Sequence, residues 1–282
     1  MCFIFTGAVL FVTAVWVWML KNESFMTLAY AMFFPGATAL VTSAIQGDLF
    51  SFLLQAVGIG TVVDSVVFSA ASVVIVCFLI GCCVILTLGM GWASIAEGQQ
   101  SGIHEHNKHL LAGYIRAAGE ELGWRCYLLP CLMARYEPLL AISIRCLLET
   151  REFSREMNWQ ISDGSSGIAW GLFHVPVMIL LTYKLRPPRP YLTVFIQCLS
   201  CIMAAFPHGW VAIKSGYSLW SATIMHGTWN QVNPRLLGSI YTQTPGKLVG
   251  PQWVINGEGL AGVITILPLA ALLTLDLKYN WI

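Results

Sequence analysis

The sequence predicts an all-α fold, a multi-pass transmembrane helical bundle of about eight spans, and three observations carry that prediction. Of 282 residues, 57% are hydrophobic and only 10% are charged, whereas about a quarter of the residues in a soluble domain are charged. Uncharged runs of roughly 20 residues, the length a helix needs to cross the hydrocarbon core, recur along the chain. The hydrophilic stretches between them, richest at Glu97 to Lys108 and Glu149 to Asp163, are too short to fold as domains. The 15 basic and 14 acidic side chains sum to +1, leaving no bulk field to gather nucleic acid, so nucleic-acid binding is excluded. A disordered tail, a collagen or a disulfide-stapled secreted module would each need a different composition. Without internal repeat or linker, residues 1–282 are expected to form a single membrane-embedded domain.

Met1 to Leu20 is the first uncharged run. It has no basic residue ahead of it and no cleavage site before a soluble domain, so it is expected as a retained helix. Ser24 to Gly47 is the second. Leu49 to Val63 is uncharged but contains Gly58 and Gly60 and is short, which suits an interfacial or re-entrant segment. Ser65 to Ala96 is the third span, densest at VVIVCFLIGCCVILTLGMG. Ala112 to Ala134 is needed as a further span although its apolar background carries Arg116, Glu120, Glu121 and Arg125. Then come Gly164 to Tyr183, Tyr191 to Ile213, Ser215 to Pro234 and Gly259 to Leu275. KLRPPRP, Lys184 to Pro190, is a stiff basic turn whose prolines forbid a continuous helix.

Several features invite chemistry and receive plainer readings. Nine cysteines, all in or beside apolar runs, are expected as small buried hydrophobes. Cys198 and Cys201 form a C-x-x-C that lacks the second half of a zinc knuckle. HEHNKH, from His104 to His109, reads as a solvated loop. His208, in FPHGW, is expected at the membrane interface beside Trp210, and the tryptophans generally as interfacial anchors and packing.

The chemistry is expected where ionisable and polar groups intrude at bilayer depth, since each costs about 2.5–3.5 kcal/mol on insertion scales. In GEELGWRCYLLP, Glu121 and Arg125 are four apart, acid before base, and share a helical face. Glu120 lies about 100° around the helix, so the same arginine need not neutralise it. Glu121 is therefore expected in a structural ion pair and Glu120 free to act. In WGLFHVPVM, His174 interrupts an uncharged span, with Trp170 on the same face one turn earlier. In SLWSATIMHGTWNQVNP, His226 and Asn230 project together at i and i+4. Taken singly, each has a structural explanation: a buried ion-pair network, a packed histidine, an interhelical hydrogen bond. Taken together, they can line one polar cavity that holds a water. Glu120 would act as general base on that water. A histidine would share the water or protonate the leaving amine, and Asn230 with the other histidine would hydrogen-bond the oxyanion. Amide hydrolysis is the natural reaction. An equally chemical variant has Glu120, His174 and His226 binding Zn²⁺ with an open water position, although the sequence lacks H-E-x-x-H.

These residues carry a resemblance. EELGWR followed by CYLLP, then WGLFHVP, then SLWSATIMHGTWN, resemble the three motifs of the CAAX-protease and bacteriocin-processing (CPBP, or Abi) family of intramembrane endopeptidases, which includes the CAAX prenyl protease 2 enzymes. The motif-bearing core runs from Leu110 to Ser239. The resemblance implies Glu120 as the water-activating glutamate with His174 beside it, Glu121 and Arg125 in support, and His226 with Asn230 stabilising the oxyanion. It implies a prenylated or otherwise membrane-associated protein or peptide as substrate, cleaved at the bilayer, in one version just after a prenylated cysteine. Members are described both as metalloproteases and as glutamate-dependent proteases, so Zn²⁺ is the one cofactor it brings. Two positions depart from the pattern: the family usually has Phe where Trp170 stands and Gly where Cys126 stands. Two other readings use the same residues. A transporter or proton relay would bind ions at the buried Glu, His and Asn groups, and a catalytically idle scaffold or immunity protein of the same fold would tolerate their loss.

Overall fold

A computed structural model describes residues 1–96, 110–135 and 151–279 of the chain. The His104 to His109 tract and the hydrophilic stretch from Glu97 lie outside them. Helix α1 (Cys2–Met19) is followed by α2 (Phe25–Leu28), a 3-10 turn (Ala29–Phe33) and α3 (Phe34–Gln46). Next come α4 (Leu49–Val57), α5 (Val62–Gly89) and α6 (Leu110–Gly123), which runs into a π-helical segment (Trp124–Leu128). The remaining helices are α7 (Arg151–Leu185), α8 (Pro190–Lys214), α9 (Leu219–Leu236), α10 (Gln252–Ile255) and α11 (Leu260–Tyr279). Two short strands, β1 (Ser94–Ile95) and β2 (Leu248–Val249), pair antiparallel. The fold is the expected all-α multi-pass membrane bundle.

Among the described residues, six helices are long and apolar enough to cross a membrane: Cys2–Met19, Phe25–Gln46, Val62–Gly89, Gly164–Leu185, Pro190–Lys214 and Gln252–Leu277. Helices α6 and α9, which carry the charged and amide-bearing motifs, are outside that set of six. Their polar side chains lower their hydropathy, and burial by neighbouring helices is what makes them tolerable at depth. At nine residues, α4 is about 13 Å long, too short to span, as its length implied. Helix α7 ends at Leu185 and α8 begins at Pro190, so the proline-rich turn breaks the helix where expected.

Close helix approach depends on missing side chains. A Cβ at Gly119 would stand 2.8 Å from the Met32 carbonyl, so α6 lies directly on the turn that enters α3. On α7, a Cβ at Gly167 would stand 2.9 Å from Ala205 of α8. Small residues at such contacts let backbones approach where lipid supplies no hydrophobic drive between helices. Phe5 of α1 packs on Trp124 and Tyr127 of the π segment, at ring separations of 5.9 and 4.9 Å. Two readings of the sequence need correction. Cys2 and Cys131 form a disulfide between α1 and the helix over 129–135, so they are not free buried thiols. His208 is buried inside the bundle, 5% exposed, and not at an interface. The alternation of apolar runs could show neither, because each depends on which helices become neighbours.

Candidate active site

The three motif-bearing helices α6, α7 and α9 bring their polar residues to one cavity of about 240 Å³. It is lined by Glu120, His174, His208, His226, Asn230 and Glu258 among mostly apolar walls. A cavity of this size with several polar partners can hold water.

Glu120 and Glu121 are adjacent in α6, and both are buried, yet their partners differ. Glu121 Oε2 lies 3.3 Å from Arg125 Nη1, the expected i, i+4 ion pair. Its Oε1 also accepts a 2.7 Å hydrogen bond from His226 Nδ1, so this carboxylate serves the α9 histidine as well as the arginine. Glu120 makes a different contact: its Oε2 accepts a 2.7 Å hydrogen bond from Trp170 Nε1 of α7. The π segment begins one residue before Arg125. Such widened turns recur at functional sites because they re-aim side chains within a continuous helix. The Arg125 guanidinium lies 4.1 Å from the centre of the Trp170 ring, over its face.

The histidine tautomers follow from these partners. His174 Nδ1 is 2.8 Å from the Trp170 carbonyl. A carbonyl only accepts, so Nδ1 carries the proton and Nε2 of the neutral ring is an acceptor. His226 donates from Nδ1 to a carboxylate, so its Nε2 accepts in the neutral ring and donates in the imidazolium, which Glu121 stabilises. His208 Nδ1 is tied to the Ala204 carbonyl at 2.7 Å. Its ring lies 5.2 Å from Trp170 and 5.9 Å from His226. Asn230 lines the cavity one turn after His226.

The expected zinc set does not match this geometry. Among the described residues, no group of three or more His, Cys, Asp or Glu side chains is arranged to hold a metal ion. Glu120, His174 and His226 line one cavity but do not form such a group, and the steps below use protein residues alone. The C-x-x-C pair faces α7: Cys198 Sγ reaches the Gly171 carbonyl at 3.6 Å, and Cys201 Sγ lies 3.8 Å from His174 Nδ1.

All of the expected site residues are described: Glu120, His174, His226 and Asn230 line the cavity, while Glu121 and Arg125 stand behind it. Three further groups that the sequence does not mark as site residues line the cavity. Trp170 was read as an aromatic on the histidine face, but its indole N–H is what touches Glu120. His208 gave the same signal as His174, a histidine inside an uncharged run, and was assigned to the interface because of the tryptophan beside it. Glu258 gave no signal, since it sits in the polar approach to α11. Across the cavity, desolvation beside Glu258 pushes the Tyr241 phenol well above its ordinary range, so that loop residue is a neutral donor.

Residues 108–232 match the family model described as Type II CAAX prenyl endopeptidase Rce1-like. That segment contains all six expected site residues, together with Trp170 and His208. No curated protein matches the chain.

Proposed function

We propose, from the premise that this chain belongs through residues 108–232 to the Rce1-like type II CAAX prenyl endopeptidase family, that it hydrolyses a peptide bond in the membrane just after a prenylated CaaX cysteine. One observation carries the mechanism. Two adjacent buried glutamates have separate partners, and the one not tied to arginine lines a cavity shared with histidines from three other positions.

Glu120 takes a proton from a water in the cavity while the oxygen attacks the scissile carbonyl. The oxyanion that forms receives hydrogen bonds from Asn230 and from Nε2–H of the His226 imidazolium, whose opposite nitrogen is held by Glu121. Arg125 pairs with Glu121 and keeps it in place. The proton on Glu120 passes to the leaving amine, directly or through His174, as the carbon–nitrogen bond breaks. Water is consumed, one carboxyl and one amine end are released, and Glu120 returns to its ionised form.

The test is cleavage of a prenylated CaaX peptide by the protein in membranes. Glu120→Gln keeps the shape and the acceptor for Trp170 but removes the base, and turnover should fall by about 10²–10⁴-fold. Wild-type turnover in that variant would overturn the mechanism. Chelation is the companion measurement. Cleavage that persists after metal removal is expected, whereas loss that Zn²⁺ restores would reassign Glu120, His174 and His226 as ligands.

A further inference from the structure

Trp170 lines the cavity and touches several of its polar groups at once. Its indole N–H ends on Glu120 Oε2 at 2.7 Å, and its face carries the Arg125 guanidinium at 4.1 Å from the ring centre. Its ring also packs edgewise on His174, His208 and His226, at centroid separations of 5.9, 5.2 and 5.6 Å. The side chain is 5% exposed. A residue present only to fill space would not need a hydrogen-bond donor at this spot, and a phenyl ring would pack there equally well.

The donor matters because of what it holds. A glutamate carboxylate rotates freely about its last torsion, where the rotamer wells are broad. Unheld, Glu120 would offer either oxygen, in any rotation, to the cavity. A hydrogen bond to a charged group in a low-dielectric interior is strong and directional. With Oε2 committed to the indole, Oε1 is the oxygen left to take the proton from water. The same ring fixes where the Arg125 charge lies relative to Glu120, because the cation rests on the face of the plate whose edge holds the base. The arginine then pairs with Glu121 at 3.3 Å.

We infer that in this chain Trp170, standing where the family usually has Phe, is a positioning residue for the water-activating carboxylate: its indole N–H fixes which oxygen of Glu120 acts as base. The inference rests on Glu120 being that base. It predicts an effect on turnover and little effect on substrate binding, because only the orientation of the base changes.

The experiment compares three forms of the full chain in membranes, using a prenylated CaaX peptide as probe. Trp170→Phe keeps a ring and loses the donor. Replacement of Trp170 by 3-benzothienylalanine keeps the full bicyclic shape and exchanges only the N–H for sulfur, which serves if the phenylalanine variant does not fold. Glu120→Gln is measured alongside. Both Trp170 variants are expected to lose about 10- to 100-fold in kcat, the scale of one hydrogen bond to a charged group, with KM within about twofold. Wild-type kcat in the benzothienylalanine form would overturn the inference, as would a rise in KM at unchanged kcat. If Glu120→Gln is inactive while the Trp170 forms are fully active, only this inference falls. If Glu120→Gln cleaves normally, the proposed mechanism itself falls.

Discussion

Helix α5 turns Val66, Val74 and Ile85 outward, 65, 67 and 73% exposed, whereas its neighbour α9 buries Ser221, Thr223, His226 and Asn233. The two touch through a polar contact, in which Ser72 Oγ donates to the Ser221 carbonyl at 2.9 Å. Helix α5 faces lipid with apolar side chains on most of its circumference and needs few specific partners. Helix α9 cannot face lipid with an imidazole and two asparagines, so α5 and α6 pack around it. Between these two helices the polar side chains are turned inward and the apolar ones outward, the reverse of the rule for soluble proteins.

The comparison can be broken hardest at Arg125. Arg125→Met removes one partner of a fully buried ion pair and leaves Glu121 with only His226. A loss of about 3–5 kcal/mol is expected, read as a large fall in thermal stability in detergent. A stability equal to wild type would mean that Glu121 is not left uncompensated when the arginine is removed. A smaller effect is expected where the two motif helices meet. A Cβ at Gly227 would collide with the Tyr114 ring, so Gly227→Ala should cost about 1–3 kcal/mol by overpacking and lower the melting temperature without changing the protonation chemistry. The smallest change is expected on α5. Val74→Ala, on the lipid-facing surface, should stay within ~0.5 kcal/mol of wild type. A larger loss would show that this face is covered by protein.

Much of the site was legible because its signals are local. The four-residue spacing of Glu121 and Arg125 set their ion pair, and the one-turn offset of Trp170 from His174 placed both on one face of α7. What escaped the sequence is nonlocal. The partner of Cys2 lies 129 residues away, and nothing in the spacing of nine cysteines selects it. His226 pairs with Glu121 across helices, so the acid expected to be purely structural also sets the tautomer of a site histidine. His208 was misplaced because a histidine next to a tryptophan looks alike at a membrane surface and beside a buried cavity. Only the packing of α8 on α7, permitted by Gly167, separates the two. The number of membrane-crossing helices is less legible than their existence, since the polar side chains of α6 and α9 keep both outside the six described helices that are long and apolar enough to cross.

The disulfide between Cys2 and Cys131 closes a covalent loop that runs from α1 through the helix bearing Glu120. In a bilayer an apolar helix such as α1 is held laterally only by packing and could otherwise drift from its neighbours as a separate body. The cross-link makes it a captive of the helix that bears Glu120. A single backbone cut anywhere between the two cysteines would therefore leave the pieces joined, migrating as one species until a reductant separates them.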